Sequence, residues 1–168
     1  AANRELAGPE VELVQEIARE MRLKNALALV ADDYDYILID CPPTLTLLTL
    51  NGLVAADGVL VPMVCEYYAL EGISDLVATV RKIRTAINAK LGIFGIVRTL
   101  YNNQNRLAQD VSAQLQEHFG AQLFATTIPR NVRLAEAPSH GLPALAYDAK
   151  AKGTLAYLEL ADEVLARK

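Results

Sequence analysis

A disulfide framework, a membrane span and an excess of positive charge are all missing from this sequence. Two cysteines, Cys41 and Cys65, are too few to staple a fold. No basic, apolar and small-residue layout of a secretory signal stands near the first residues, so the expected setting is the reducing cytoplasm. No apolar run reaches the ~20 residues that cross a bilayer. The longest, around 45–56, is interrupted by Thr49, Asn51 and Gly52. Sixteen Lys and Arg stand against twenty Asp and Glu, a net charge of −4. No global field therefore draws the chain to nucleic acid or anionic lipid, and any such binding needs a local patch. Linker-like Ser, Gly or Pro tracts and internal repeats are also missing, and a second domain is not expected.

What is present suffices for a core. With 168 residues, 52% of them apolar and 21% charged, a chain of this size can bury about 70% of its unfolded surface. Disorder and collagen-like structure are excluded. From Tyr36 onward two hydrophobic patterns alternate. Short continuous runs, Tyr36 to Ile39, Val59 to Val61, Ile93 to Val97 and more weakly Gln122 to Thr127, predict strands covered on both faces. Longer segments carry helical spacing. Pro9 to Ala31 places Val11, Val14, Ile17, Ala18 and Met21 on one side. Gly72 to Lys90 carries Ile73, Leu76, Val77, Val80, Ile83 and Ile87. Leu107, Val111, Leu115 and Phe119 recur every four residues up to Gly120, a good C-cap. A last stripe uses Leu155, Leu158, Ala161 and Leu165. Thr44 to Ala56 fits both periods and is read as a helix, with Thr44 or Thr46 as N-cap. Strand and helix in alternation predict an α/β fold, a doubly wound and mostly parallel sheet flanked by helices, with ligands at the carboxyl ends of the strands.

One strand ends in a carboxylate. In Tyr36-Ile37-Leu38-Ile39-Asp40, followed by Cys41-Pro42-Pro43, Asp40 emerges at that ligand edge, where it can hold a water of a Mg²⁺ bound to nucleotide phosphates. An aspartate that merely ends a strand or caps the next helix fits the same pattern. His118 and His140 are far apart and have no ligand-spaced cysteines or carboxylates, so a zinc site is not expected. No serine has a nucleophile-elbow context.

Several longer blocks are more specific. Tyr34-Asp35-Tyr36-Ile37-Leu38-Ile39-Asp40-Cys41-Pro42-Pro43, then Asn51-Gly52-Leu53-Val54-Ala55-Ala56-Asp57, then Cys65-Glu66-Tyr67-Tyr68-Ala69-Leu70-Glu71-Gly72 closely resemble the ParA/Soj family of chromosome- and plasmid-partitioning ATPases. So does Ile128-Pro129-Arg130-Asn131-Val132-Arg133-Leu134-Ala135-Glu136-Ala137-Pro138-Ser139-His140-Gly141. The resemblance runs in order from Ala2 to the C-terminal Tyr157-Leu158-Glu159-Leu160-Ala161. It implies a P-loop NTPase-like fold with ATP and Mg²⁺ as cofactors. Asp40 would be the Walker B carboxylate holding Mg²⁺ through water, and Pro129, Arg130, Asn131 and Val132 would lie beside the adenine. Asn131 also suits a plain helix N-cap. The family further implies an ATP-bound homodimer on non-specific DNA, a ParB/Spo0J-like partner that stimulates hydrolysis, and a nucleoid-associated place in the cytoplasm. Arg133 falls where the family keeps an arginine tied to DNA, and Lys150 and Lys152 follow nearby. Many relatives read Asp-Ala-Arg-Thr after the tyrosine matching Tyr101, whereas this chain has Asn102-Asn103-Gln104-Asn105. Arg106 is the residue left to substitute for that arginine.

Two family features do not occur in the 168 residues: the Lys-Gly-Gly-x-Gly-Lys-[Thr/Ser] phosphate loop and the Asp-x-Asp-Pro-Gln stretch. No catalytic residue is assigned for that reason. Residues 1–168 are expected to be the C-terminal two-thirds of one ParA-like ATPase domain, incomplete at the N-terminus; a short homologue that keeps the scaffold without hydrolysis is the alternative. Under either reading this chain alone is expected not to hydrolyse ATP. A MinD-like cargo or division-site ATPase is a further alternative. Its basic membrane helix has no counterpart here, because Glu159, Asp162 and Glu163 stand in the last helix, and no membrane contact is expected.

Overall fold

The computed structural model describes residues 12–167. Contacts along the chain group it into two units, Ala1–Val59 with Ala78–Gly92, and Leu60–Val77 with Ile93–Lys168. Three of the four expected strands form. They are β1 (Gly58–Val64), β2 (Gly92–Tyr101) and β3 (Leu123–Pro129), in the order β1-β2-β3, with β2 and β3 parallel. Helices flank this parallel sheet, so the expected α/β class is the one the chain adopts.

The fourth expected strand does not form. Residues 36–42 have no regular secondary structure, and Leu38 is 92% exposed. A continuous apolar run suits a strand only where neighbours supply a ladder and both faces are covered; here one side of the run faces water. The other side rests on α2 (Leu47–Ala55). A Cβ added at Gly52 of that helix would lie 2.9 Å from Cys41 Sγ and 3.4 Å from Ile39 Cγ2.

The expected helix from Pro9 to Ala31 is also replaced, although Pro9 and Val11 lie outside the described residues. In its place are turns, a 3₁₀ turn at Arg19–Met21, the short α1 (Arg22–Leu27) and another 3₁₀ turn at Ala31–Asp33. Ala18 adopts a left-handed φ of 52° that no helix continues through. Val14 and Ile17 of the expected stripe are exposed, and a helix with nothing on its apolar face loses its main source of stability.

The expected α2 does form, and Thr46 caps it, its Oγ1 accepting from the Thr49 N–H at 3.4 Å. Asn51, which looks like an interruption of an apolar run, is 3% exposed and ties the unit together. Its Nδ2 donates to the carbonyls of Arg19 (2.9 Å) and Leu47 (3.0 Å), and its Oδ1 accepts from the Leu23 N–H (3.1 Å). Asn88 is buried too, and its Nδ2 is directed at the carbonyls of Leu53, Val54 and Ala56, which satisfies groups left over at the end of α2.

In α3 (Ala69–Ala86) the expected residues Ile73, Val80 and Ile83 are buried. Helix α4 (Arg106–Phe119) starts on Asn105, whose Oδ1 accepts from the Leu107 and Ala108 N–H groups, and ends at Gly120 with φ 26°, as its spacing predicts. Short α5 (Val132–Glu136) and α6 (Ala144–Tyr147) lead to α7 (Lys152–Ala166). In α7 the buried face is Gly153, Thr154, Ala156 and Leu160, while the expected stripe of Leu155, Leu158, Ala161 and Leu165 faces outward. Small residues let the helix approach closely, and closeness rather than side-chain bulk selects the face. The core of this second unit is Val97, Phe124, Ile128, Ala156 and Leu160, with Phe94, Leu134 and Val164 packed against it.

The pairing of β2 with β3 is irregular. Ile96 opposes Leu123 and Arg98 opposes Thr127, so β3 spends two more residues than β2 over this stretch. The surplus bulges at Phe124 to Thr126 and is braced by two charged side chains. Arg98 Nη2 donates to the Phe124 and Ala125 carbonyls at 2.8 and 3.0 Å, and its Nη1 to Ser112 Oγ at 2.8 Å. Glu163 of α7 accepts from the Ala125 and Thr126 N–H groups at 2.8 and 3.0 Å. Arg167 pairs with Glu163 at 3.2 Å, and its guanidinium lies 3.8 Å from the centre of the Phe124 ring.

Candidate functional site

Asp40 is exposed in the first unit, on the segment that α2 supports. It follows the apolar residues Ile37 to Ile39 and precedes Pro42 and Pro43, which cannot extend a ladder. Among the described residues, no group of three or more His, Cys, Asp or Glu could hold a metal ion. A lone exposed carboxylate still fits Mg²⁺, which is commonly held by one or two carboxylates and completed by phosphates and water. Partial burial and then the Asp40 charge push the Cys41 thiol above its ordinary pKa. Burial raises Cys65 as well, opposed in part by Arg98. Both are free thiols whose raised pKa favours the protonated form at neutral pH; Cys65 is buried and Cys41 exposed.

The second candidate segment begins where β3 ends, at Pro129. Arg130 is exposed, and Val132 is 69% exposed. Asn131 is the N-cap of α5, its Oδ1 accepting from the Arg133 N–H at 2.9 Å and the Leu134 N–H at 3.4 Å. The bland assignment of Asn131 as a cap is therefore correct as structure, and it leaves the side-chain amide as a donor for something else.

Arg133 is not a bare surface cation. Its Nη1 donates to Glu136 Oε2 at 2.9 Å, and its Nε lies 3.6 Å from Asp148 Oδ2. Tyr147 Oη donates to the same Glu136 oxygen at 3.3 Å, and the Tyr147 ring stacks on His140 with centres 4.9 Å apart. The hydrogen bond that Arg133 donates to Glu136, then the Glu136 charge, then Tyr147, raise the Arg133 pKa. Asp148 also accepts from the Lys150 backbone N–H at 3.1 Å, so the Arg133 and Lys150 segments meet at one carboxylate. Lys150 and Lys152 are exposed, the latter as the first residue of α7. Arg106 is exposed on a different element, at the start of α4. Sequence alone assigns no role to the partners Glu136, Tyr147 and Asp148. The three-residue spacing of Arg133 and Glu136 on a helix is the signal that could have revealed the first of them.

A family model described as an AAA domain matches residues 1–93 and sets the class. The chain is 59% identical, over 99% of its length, to an uncharacterized protein of Pseudomonas putida, of which it spans 64%. It is 52% identical to the chromosome-partitioning ATPase Soj of Treponema pallidum, over 99% of this chain and 66% of that protein. Among solved structures, cobyrinic acid a,c-diamide synthase from Mycobacterium smegmatis, with bound ADP and magnesium, superposes with a TM-score of 0.79 at 36% identity, covering 98% of this chain and 60% of that one. The cell division ATPase MinD of Pyrococcus furiosus shares the fold at a TM-score of 0.70 and 24% identity, over 89% of this chain and 59% of that one. The chain belongs to this AAA domain family, on its ParA/Soj branch.

Proposed function

We propose that this chain is the C-terminal two-thirds of a ParA/Soj-type ATPase domain whose whole protein partitions chromosomal or plasmid DNA. ATP and Mg²⁺ close a homodimer, the dimer binds nucleoid DNA without sequence preference, and a ParB/Spo0J-like protein stimulates hydrolysis and release. The observation that carries the reading is the capped turn at the carboxyl end of β3, with Arg133 directly behind it. Ligands of α/β sheets bind at such ends. A turn stiffened by Pro129 and capped by Asn131 offers Arg130, Val132 and free backbone groups to the edge of a base. Mg²⁺, held through water by Asp40, would neutralise phosphate charge. Arg133, Lys150, Lys152 and Arg106 suit DNA phosphates, whose affinity comes from counterion release and needs only a local patch on an acidic protein.

The test is retardation of DNA duplexes of unrelated sequence by the whole protein, with and without ATP, at rising salt. ATP-dependent, salt-sensitive binding is expected, weakened by Arg133→Ala and deprived of its ATP stimulation by Asp40→Ala, which should bind no better with ATP than without. No binding at low salt with ATP and Mg²⁺ overturns the reading. The 168 residues by themselves contain no lysine- and glycine-rich phosphate loop, and Mg²⁺-dependent ATP turnover by them alone, lost in Asp40→Ala, would contradict their expected inactivity.

A further inference from the structure

Helix α7 touches the turn after β3 at a residue with no side chain. A Cβ placed on Gly153 would lie 2.5 Å from Leu134 Cδ1, 2.6 Å from Leu134 Cγ and 3.0 Å from Asn131 Cβ. Real Cβ atoms do not approach others as closely as the two Leu134 distances, and the Asn131 distance is tight enough to need a shift of a few tenths of an ångström. Leu134 Cδ1 could swing aside, but Leu134 Cγ is two bonds from the backbone, so the turn or the helix itself would have to move. The backbone of Gly153 is ordinary helix, where alanine is the better former by about 1 kcal/mol. Glycine at this position therefore serves contact rather than conformation. At its other end α7 is pinned to β3 through Glu163 and Arg167, so it has little freedom to retreat.

We infer that Gly153 is the positioning residue of the base-reading turn. By letting the α7 backbone seat against Asn131 and Leu134, it sets where Pro129 to Val132 present their groups to the base of a nucleotide. The inference rests on the proposed assignment of that turn to adenine. Gly153 touches no ligand and acts only through Asn131 and Leu134.

The experiment compares two probes on the whole protein with Mg²⁺: ATP, and inorganic tripolyphosphate, which has the phosphates but no base. In Gly153→Ala the affinity for ATP should fall about three- to tenfold, the range of one lost or misaligned hydrogen bond. Affinity for tripolyphosphate should stay unchanged, and Gly153→Ala/Leu134→Ala, which removes the obstructing side chain, should recover most of the ATP affinity. Equal loss for both probes would mark a general packing defect and overturn the inference, as would unchanged ATP affinity. The two levels of failure are separable. If the unmodified protein binds ATP no tighter than tripolyphosphate, the base-reading assignment falls and takes the inference with it. If Asn131→Ala loses the preference for ATP and Gly153→Ala keeps it, only the role of Gly153 falls.

Discussion

Two segments that read alike in sequence, Tyr36 to Asp40 and Leu123 to Pro129, differ in what holds them. Each is a short apolar run leading to a proposed nucleotide residue. The first is supported on one side only, by α2 at Gly52, and forms no strand. The second is paired with β2, packed by α7 and braced at its bulge by Arg98 and Glu163. Strand formation thus follows from neighbours more than from the run itself. The largest expected effect tests the braced side. Phe124 is completely buried, and a Cβ on Gly95 of β2 would meet its ring carbon Cζ at 2.7 Å. Phe124→Ala should lower unfolding free energy by about 3–5 kcal/mol in urea titrations followed by circular dichroism. A loss below about 1 kcal/mol would mean that this region is no better held than the other.

Next in size is Glu163. Burial alone would raise its pKa and is the largest single influence, yet the backbone N–H groups of Thr126 and Ala125, with help from the Thr126 hydroxyl and Arg167, outweigh it and hold the carboxyl below the ordinary range. A folded-state pKa below the unfolded value contributes stability that is complete above the unfolded pKa, near about 4.3. It is lost as pH falls through the lowered folded value. Gln at this position keeps one acceptor for two N–H groups and gives Arg167 no charge. Glu163→Gln should therefore cost about 1–3 kcal/mol at neutral pH. It should also flatten the acid limb of the stability–pH curve, which urea midpoints between pH 3 and 7 would record. An unaltered acid limb would remove Glu163 from the brace.

The contrast explains which parts of the molecule were legible in the amino acids alone. The caps Thr46 and Asn131 and the end of α4 at Gly120 depend on local chemistry and were readable. The runs of β1, β2 and β3 were readable too, but so was 36–39, which lacks the neighbours that make a run a strand. The exposed leucines of α7 were not. Spacing alone marks Leu155, Leu158 and Leu165 as a core stripe, whereas Gly153 and Ala156 make the contact because their small size brings the helix close. Asn51 reads as a break in an apolar run and Asn88 gives no signal in the sequence, and the role of each appears only when distant carbonyls are brought to it. At the candidate site, the positions Asp40 and Pro129 to Arg133 came from motif order, but the Glu136 and Asp148 ion pairs of Arg133 needed the fold.

A smaller effect is expected where the braced region meets its helix cap. Asn131→Ala removes the acceptor for the Arg133 and Leu134 N–H groups and should cost about 1 kcal/mol of stability. Asn131→Asp keeps an acceptor and places a charge that the N-terminus of α5 favours, so it should retain most of that stability. Equal losses in the two variants would show that the side-chain amide, which both lack, rather than the capping oxygen, is what Asn131 supplies.

The smallest effect belongs to the bare segment, and it tests the comparison most directly. Leu38 is 92% exposed, while Ile39 beside it is partly covered and faces Gly52 of α2. An exposed leucine transfers little apolar surface on folding, so Leu38→Ser should shift stability by no more than about 0.5 kcal/mol. Ile39→Ser removes contacts against α2 and places a hydroxyl there, so its loss should be larger than that of Leu38→Ser. Urea midpoints of the two variants, measured side by side, decide the point. A Leu38→Ser loss that equals or exceeds the Ile39→Ser loss would mean that the outer side of the run is covered in solution. The segment would then be held on both faces as β3 is, and its difference from β3 would disappear.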